Sequence, residues 1–292
     1  MTKRIVARID IKGPNLVKGI HLEGLRVLGE PHEFASHHFA SGADELIYMD
    51  VVASLFGRNS FDHIISDTCK DVFIPLTVGG GIRTLKDIER VLKFGADKVA
   101  INTAAVNNPG FVKEAASAFG SSTIVVAIES IKTGPSEYLA FTDCGREHTG
   151  LNVVEWAKKI EEQGAGEILL TSVDREGTGE GLDQELIKLI SDATSIPIIA
   201  HGGIGKKEHV KEAFEINDQI GAIAMASCIH YEHVLSNQKL KKNEQEGNDD
   251  YLQNRRVNKK ITPFSLADLK CYLQKNNIKV PSSLKEYTQY AN

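Results

Sequence analysis

Two stretches of the chain share one pattern, and together they decide the fold. The first reads IPLTVGGGIRTLKDIERVLKFGADKVAINTAA over residues 74–105, and the second reads IPIIAHGGIGKKEHVKEAFEINDQIGAIAMASCIH over residues 196–230. Each contains a short apolar run, a glycine cluster, a helical pattern and a second apolar run that ends in small polar residues. A continuous apolar run is typical of a strand buried on both faces of a parallel sheet. The chain is therefore predicted to hold one kind of β-α-β unit twice.

Strand-like runs alternate with amphipathic helical patterns along most of the chain. The runs are RIVARID, ELIYMDV, IPLTVGG, KVAINT, IVVAIES, EILLTSV, IPIIAHG and AIAMAS. GADELIYMDV aligns with GAGEILLTSV at an offset of 122, as the glycine clusters do, and IVARID aligns with VVAIES at a slightly smaller one. These units predict an α/β fold, a (β/α)8 TIM barrel built from two repeated half-barrels as a single domain over residues 1–292. The alternative, an open doubly wound sheet, leaves the repeat unexplained.

The composition is that of an ordinary globular protein, and it narrows the classes of partner. Hydrophobic residues make up 41% and charged residues 25% of the chain, and the net charge is −5. This acidic balance gives no electrostatic basis for binding nucleic acid. No apolar run approaches the ~18 residues of a membrane span, so no membrane partner is expected. The four cysteines are widely spaced and form no CxxC pair, which favours a cytoplasmic location.

Carboxylates are predicted at the carboxyl ends of the strands, where active sites of this fold form. The first strand ends in Asp10, the fifth in Glu129 and the sixth in Asp174. Asp10 and Glu129 occupy related positions of the repeat, and two carboxylates facing each other across a pocket suit general acid–base catalysis. We therefore interpret these two as the catalytic candidates, and Asp174 as a candidate for binding the substrate or its phosphate. The alternative is that either side chain only binds backbone groups or a neighbouring lysine.

The glycine clusters are predicted to bind phosphate groups. A glycine turn brings backbone N–H groups close to an anion, and small polar residues one unit later add donors. The residues concerned are Gly80, Gly81, Asn102 and Thr103 in the first half and Gly202, Gly203 and Ser227 in the second. A lone cluster is only evidence for a tight turn, but two clusters at matched positions predict two phosphate sites across the barrel mouth. The expected substrate is therefore a long bisphosphate.

Longer motifs resemble the cyclase subunits of imidazole glycerol phosphate synthase, a family of histidine biosynthesis. They include GADEL, IPLTVGGGIR, GADKVAINTAAV and GLNVVEWAKKIEEQGAGEILLTSVDREGT. The resemblance implies a lyase that uses ammonia on a phosphorylated ribulosyl aminoimidazole carboxamide ribonucleotide. Its products are imidazole glycerol phosphate and aminoimidazole carboxamide ribotide. The resemblance also implies a separate glutaminase subunit as the source of ammonia, and no metal or organic cofactor.

The resemblance implies roles for residues on both faces of the barrel. Lys18 matches a mobile loop that closes over the substrate, and Gly177 matches part of the second phosphate site, with Glu176 beside it. On the opposite, N-terminal face a ring of charges matches an ammonia entrance, and its members are Arg4, Glu45, Lys98 and Glu167. Asp97, beside this ring, resembles a contact to the glutaminase. The residues alone favour salt bridges that close the barrel floor.

Four residues at the mouth depart from the family pattern. Glu129 and Glu176 stand where the family has aspartate, Arg8 where it has a small or thiol side chain, and His201 where it has a small hydroxyl residue. Arg8 is expected to point the same way as Asp10, because strand side chains alternate, and to be able to pair with Glu129. These departures leave two alternatives open. One is an ammonia-using synthase that installs nitrogen on a surface-polysaccharide sugar, and the other is a silent barrel that only activates a glutaminase.

Two polar segments near the end of the chain are predicted to lie outside the barrel. Residues 233–262 have no clean hydrophobic period and read as an exposed insertion loop between the eighth strand and the last helix. As a strand-to-helix connection the insertion belongs to the catalytic face, where it is a lid, a docking loop or a passive element. Residues 281–292 are interpreted as a C-terminal extension without a predicted role.

Overall fold

A computed structural model of the chain describes residues 2–52, 62–237 and 258–282. In chain order, the strands of these ranges are β1 Arg4–Lys12, β2 Asn15–Ile20, β3 Glu23–Gly29, β4 Glu45–Asp50, β5 Leu76–Gly79, β6 Lys98–Ile101, β7 Ile124–Gly134, β8 Glu137–Thr142, β9 Glu147–Asn152, β10 Glu167–Ser172, β11 Ile198–His201 and β12 Ile220–Met225. The α-helices are α1 Pro31–Ala40, α2 Asp62–Asp71, α3 Leu85–Lys93, α4 Thr103–Asn107, α5 Gly110–Phe119, α6 Val153–Glu162, α7 Gln184–Ala193, α8 Lys207–Ile216, α9 Ser227–Ser236 and α10 Leu266–Lys275.

Eight of the described strands are parallel neighbours and close into a barrel. Around the barrel their order is β1, β4, β5, β6, β7, β10, β11 and β12, and β12 pairs again with β1. The pairing of β7 with β10 joins the two halves on the other side. The predicted (β/α)8 barrel is therefore confirmed, and the closure excludes an open doubly wound sheet.

The two half-barrels repeat element by element. Each begins with a barrel strand, continues into an antiparallel hairpin and then alternates helices with three more barrel strands. The hairpins, β2–β3 and β8–β9, are absent from the sequence-based prediction, because their strands are partly exposed and lack continuous apolar runs. An offset of 122 relates Glu45 to Glu167, whereas the registers of β1 with β4 and of β7 with β10 relate Asp10 to Glu129 by an offset of 119, one less than the alignment of IVARID with VVAIES. The connection that holds the second hairpin is therefore three residues longer than its counterpart.

The barrel wall separates two apolar cores. The larger core lies between the strands and the surrounding helices and includes Ile5, Leu46 and Trp156. The smaller core fills the interior of the barrel and is built from inward-facing strand residues such as Val6 and Leu169. Each such side chain stabilises the fold by ~1.5–3 kcal/mol when fully buried. Because the interior is filled on both sides of the wall, the strands present their ends in one fixed arrangement.

The insertion was predicted to begin at residue 233, but in the structure the preceding helix extends beyond that residue. Helix α9 continues to Ser236, and His233 is buried within it. The prediction is wrong at this end because a run of polar and aromatic side chains packs against α1 without a clear hydrophobic period. At the other end, the backbone N–H of Thr262 donates to the carbonyl of Gly205 at 2.7 Å, so this end is joined to the loop after β11.

Parts of both predicted terminal segments lie outside the described residues. These parts are residues 238–257 of the insertion and residues 283–292 of the C-terminal extension. The proposed lid or docking role of the insertion therefore stays a prediction.

Candidate active site at the barrel mouth

Five charged side chains are buried where the carboxyl ends of the barrel strands meet. Burying a charge is costly unless an opposite charge or hydrogen bonds compensate it. Such a concentration therefore makes the mouth the candidate site of chemistry. The five residues are Arg8, Asp10, Lys18, Glu129 and Glu176, each at most 5% exposed.

Arg8 pairs with Asp10. It does not pair with Glu129, the partner considered from the sequence. The Nε–Oδ1 distance is 2.8 Å, and the two residues lie on the same face of β1, two positions apart. That spacing brings the side chains together within one strand, whereas Glu129 belongs to β7 on the other side of the barrel. Arg8 Nη1 also donates to Thr171 Oγ1 at 3.2 Å and contacts His201 Nδ1 at 3.1 Å. Thr171 was not among the residues predicted for the site, because a single threonine in an apolar strand does not indicate a functional role.

Glu129 is held apart from the arginine pair by a backbone contact. Its Oε2 accepts a hydrogen bond from the N–H of Gly145, in the β8–β9 connection, at 2.8 Å. Burial raises the pKa of the Glu129 carboxyl to about 7, and the positive charge of Arg8 opposes that rise. The side chain is therefore able both to donate and to accept a proton near neutral pH.

The first glycine cluster borders an open cavity of about 270 Å³. Gly80 has φ +98°, and a Cβ there would lie 2.4 Å from the carbonyl oxygen of Asp50, so only glycine fits this turn. Glu129 lines the same cavity as the cluster. The other predicted residues there are Gly81, Asn102 and Thr103, and the structure adds Asp143 and Cys144. These two were missed because they lie in the unpredicted hairpin.

The second glycine cluster is built in the same way but borders a much smaller space, while a separate cavity of about 520 Å³ lies beside it at Lys18 and Gly177. Gly202 has φ +102°, and a Cβ would lie 2.6 Å from the carbonyl oxygen of Ser172. The space beside it amounts to only about 10 Å³. The residues that line it are Glu176, Gly177, His201, Gly203 and Ser227 among others. The structure thus brings together every residue predicted for the second phosphate site except Asp174.

The β2–β3 hairpin is fastened beside the second cluster through Glu176. The Nζ of Lys18 donates to Glu176 Oε1 in an ion pair in which both side chains are buried. The backbone N–H of Leu22 donates to the other carboxylate oxygen at 3.0 Å, and the N–H of His21 donates to the Glu176 carbonyl at 3.0 Å. The predicted mobile segment around Lys18 is therefore a strand hairpin that one carboxylate holds in place.

Asp174 lies apart from both glycine clusters. It follows the end of β10 by two residues, is exposed, and accepts a hydrogen bond from the backbone N–H of Lys132 at 2.8 Å. The residue related to Asp50 by the repeat is Ser172 and not Asp174, so the strand end was placed two residues too late. Asp174 thus supports the β7–β8 connection and does not line the cavities beside the glycine clusters.

His201 faces Arg8 as a neutral ring. Burial lowers its pKa well below the ordinary value, and the charges of Arg8 and Lys18 lower it further. A guanidinium group has only donors, so the Nδ1 of His201 accepts from Arg8 and its proton resides on Nε2. The residue therefore offers a neutral N–H at the edge of the second cluster.

A group of buried histidines supports β1 from outside the barrel. His230 Nε2 donates to the carbonyl oxygen of Arg8 at 3.0 Å, and His230 Nδ1 contacts His38 Nε2 at 2.9 Å. Burial lowers the pKa of His230 to about 3, so the ring is neutral at physiological pH. The sequence does not reveal the contact, because His38 and His230 are 192 residues apart.

The ring of charges predicted on the opposite face forms as a closed network. Arg4 bonds to Glu45 and Glu167, and Lys98 reaches Glu167 at 3.1 Å and Glu45 at 3.7 Å. These residues stand at the N-terminal ends of four barrel strands and cover the floor of the barrel. Asp97 is not part of the ring. It is exposed next to Lys98, and its carboxylate accepts from the N–H of Leu76 at 2.8 Å.

Other features of the described residues bear on cofactors and location. No group of three or more His, Cys, Asp or Glu side chains in the ranges 2–52, 62–237 and 258–282 is arranged to hold a metal ion. All four cysteines are free thiols. Within the same ranges, none of the helices combines the length and the apolar character that crossing a membrane demands.

Comparisons with known proteins place the chain in a family. The family model described as histidine biosynthesis protein matches residues 4–235. The chain is 58% identical over 205 residues to the imidazole glycerol phosphate synthase subunit HisF of Legionella pneumophila, an alignment that spans 70% of this chain and 97% of that protein. The match of the family model over residues 4–235 covers the barrel strands of both halves and every residue of the two glycine clusters. The chain belongs to the histidine biosynthesis protein family.

Proposed function

We propose that the chain is the cyclase subunit of imidazole glycerol phosphate synthase. In this role it is a lyase that takes ammonia and a phosphorylated ribulosyl aminoimidazole carboxamide ribonucleotide. It releases imidazole glycerol phosphate and aminoimidazole carboxamide ribotide. The similarity to HisF favours this function over the installation of nitrogen on a polysaccharide sugar.

The observation that carries the proposal is the pair of matched glycine clusters with buried carboxylates between them. A substrate with a phosphate at each end needs two anion sites separated by the site of reaction. Phosphate groups are commonly held by backbone N–H groups of glycine turns. The first site comprises Gly80, Gly81, Asn102 and Thr103, and the second comprises Gly177, Gly202, Gly203 and Ser227.

Asp10 and Glu129 divide the proton transfers between them. Adding ammonia and cleaving the substrate in two require protons to leave nitrogen and to reach a leaving group. Asp10 is ion-paired with Arg8 and acts as the base. Glu129, whose pKa burial raises to about 7, acts as the acid. The longer side chain of glutamate is accommodated because the N–H of Gly145 fixes its carboxylate.

Lys18 and Glu176 control access to the second phosphate site. The carboxylate of Glu176 accepts from Lys18 Nζ and from the N–H of Leu22. These are the kinds of donor that also bind a phosphate oxygen. Substrate phosphate therefore takes over Lys18 as the β2–β3 hairpin opens and closes over it.

A glutaminase subunit supplies the ammonia at the floor of the barrel. The ring of Arg4, Glu45, Lys98 and Glu167 surrounds the entrance, and the exposed carboxylate of Asp97 contacts the partner. The proposal includes a single catalytic domain over residues 1–292 and a cytoplasmic location, which the free thiols support.

Ammonium-driven turnover tests the proposal directly. Purified full-length chain is supplied with ammonium salt and the ribulosyl bisphosphate substrate at pH 8, and absorbance is followed. Wild type turns over, and Asp10→Asn lowers kcat by about 1000-fold because the base is lost. The matched control Asp174→Asn retains activity. Binding of the bisphosphate without turnover, or equal activity of Asp10→Asn, contradicts the proposal and directs attention to another acceptor.

A further inference from the structure

The inward face of β1 carries charges at three levels of the barrel. Side chains of a strand alternate, so Arg4, Val6, Arg8 and Asp10 all project into the interior. Arg4 lies in the floor ring and Asp10 lies at the mouth. Arg8 therefore stands about 7 Å along the strand below Asp10, directly beneath the proposed site of reaction.

The guanidinium group of Arg8 extends across the interior of the barrel. Its contacts are Thr171 on β10 and His201 on β11, and neither strand is a neighbour of β1. Thr171 and His201 are also 3.3 Å apart, so the three side chains form one hydrogen-bonded layer. The layer borders both carboxylates, because Arg8 is bonded to Asp10 and Thr171 is the register partner of Glu129.

The scaffold does not require an arginine at this height. The offset of 119 that relates Asp10 to Glu129 relates Arg8 to Ala127, which is also buried. At the corresponding position, the second half-barrel therefore has only the methyl side chain of an alanine. Burying a charge is costly even when it is paired. A role in the chemistry explains the arginine better than a role in packing does.

The charge of Arg8 decides what Asp10 attracts. A buried aspartate without a countercharge binds cations, and most dissolved ammonia near neutral pH is the ammonium ion. Ammonium has no lone pair and is unable to attack a carbonyl carbon, so its binding at Asp10 blocks the site. Arg8 neutralises Asp10 in an ion pair at 2.8 Å and repels further cations. Its N–H groups are donors only, and the lone pair of neutral ammonia accepts from such groups.

Building on the proposed function, we propose that Arg8 is a specificity-determining residue for the nitrogen source. Its guanidinium excludes ammonium from the space beside Asp10 and admits neutral ammonia. The exclusion does not depend on the face from which ammonia arrives, because the charge lies next to the reacting position itself.

The charged and titratable groups that face Arg8 come from several elements. Asp10 lies on β1, Lys18 on β2 and His201 on β11. Glu129 lies on β7, and Glu176 follows β10. Since Glu129 titrates near neutral pH and changes kcat, the test has to rely on the Michaelis constant for free ammonia.

The experiment compares wild type with Arg8→Met, Arg8→Gln and Arg8→Lys. For each protein, kcat and the Michaelis constant, expressed as free ammonia, are measured between pH 7 and 9. In wild type this constant stays unchanged with pH. In Arg8→Met and Arg8→Gln it falls roughly 10-fold from pH 9 to pH 7, because competing ammonium is present in fixed proportion to ammonia at each pH and therefore lowers the apparent kcat and the apparent Michaelis constant together. Arg8→Lys restores the wild-type behaviour because it keeps the positive charge.

Potassium, a cation close to ammonium in size, gives a second readout at constant pH. Potassium chloride inhibits Arg8→Met and Arg8→Gln but not wild type, with tetramethylammonium chloride at equal ionic strength as the reference. Arg90→Met, which removes an arginine from the outer helix α3, behaves as wild type. Arg8→Gln keeps hydrogen-bonding groups at the position, so it supplies the test where Arg8→Met does not fold.

Three outcomes overturn the inference. The first is a pH-independent constant in the neutral variants with only kcat reduced, which leaves Arg8 a purely positional role on Asp10. The second is potassium inhibition of wild type. The third, no ammonium-driven turnover by wild type at all, removes the proposed function and this inference with it. The first two leave the cyclase function standing, so the two failures are distinguishable.

Discussion

The two glycine clusters are copies of one design that the structure holds in different states. At both, a Cβ would strike a carbonyl oxygen of the neighbouring strand, at 2.4 Å from Asp50 for Gly80 and at 2.6 Å from Ser172 for Gly202. Both glycines and both carbonyls are related by the offset of 122. Yet the first cluster opens on a cavity of about 270 Å³, and the second on about 10 Å³.

The difference arises in the hairpins and not in the clusters. The β2–β3 hairpin is fastened by Lys18 and Leu22 to the carboxylate of Glu176, beside the second cluster. The longer β8–β9 hairpin contributes Gly145 to Glu129 and leaves the first cluster accessible. The two sides of the mouth therefore differ in the space they offer because the connections differ, while the strand ends stay alike.

The largest effect is expected from removing the ion pair between Lys18 and Glu176, which holds the β2–β3 hairpin. Glu176→Gln leaves the buried ammonium group of Lys18 without a countercharge and lowers the free energy of unfolding by about 3 kcal/mol. Chemical denaturation measures the loss. The double variant Lys18→Met with Glu176→Gln recovers most of it. Glu89→Gln, which breaks an exposed pair with Lys93, leaves the free energy of unfolding nearly unchanged. An equally small change in Glu176→Gln would show that the pair does not hold the hairpin.

Glu129→Gln tests the proposed acid on the side of the mouth that holds the first glycine cluster. The proposed acid is lost, and kcat falls by about 100-fold. Because only the protonated acid acts, the kcat of wild type decreases as pH rises above about 7, the pKa to which burial raises this carboxyl. The variant gives a flat profile. Steady-state kinetics at saturating ammonia from pH 6 to 9 measures both, and a wild-type profile without a limb near pH 7 contradicts the assignment.

Alanine at the repeated glycines tests whether the clusters are equivalent. Gly80→Ala and Gly202→Ala combine a clash with a strained positive φ, and each lowers the free energy of unfolding by about 2 kcal/mol. Gly24→Ala is the control, since Gly24 has φ +60° but open space around it, and it loses about 1 kcal/mol. Thermal and chemical unfolding of the three variants decide the point. Losses at Gly80 and Gly202 that differ by more than about 1 kcal/mol would show that the open and closed states strain the two turns differently.

The smallest effect is expected at the floor, where the repeat is also visible. Glu45→Gln and Glu167→Gln each open the ring at one of two related positions, and each lowers glutamine-driven turnover about 10-fold because ammonia is lost at the entrance. Turnover driven by added ammonium stays unchanged. The measurement compares the two assays in the presence of the glutaminase. Equal losses in both assays would place the ring in the fold alone.

Strong local patterns account for what was predictable. The continuous apolar runs identified the barrel strands, and the repeat located both glycine clusters. The strand period predicted that Arg8 points to the same side as Asp10, and Glu129 was considered as a possible partner, but the partner in the structure is Asp10. The spacing of two residues on β1 already allows the Arg8–Asp10 pair, whereas the contacts of Arg8 with Thr171 and His201 depend on distances across the barrel, which no one-dimensional pattern contains.

The two hairpins and the contact between His38 and His230 were not predictable from the sequence. Strands such as β9 are half exposed, so neither a continuous nor an alternating apolar pattern appears. His38 and His230 meet because α1 and α9 pack together, and each residue alone reads as an ordinary helix position. Asp174 was misplaced for a related reason, because a strand end is read from sequence only to within a few residues.

The floor ring also determines how the barrel is assembled from its halves. Both of its cations, Arg4 and Lys98, belong to the N-terminal half, whereas its carboxylates, Glu45 and Glu167, come one from each half. Two copies of the N-terminal half would bring twice as many cations as carboxylates to these positions. Two copies of the C-terminal half would bring carboxylates and no cation. The complementary charges therefore favour the association of the two different halves over the association of two like halves.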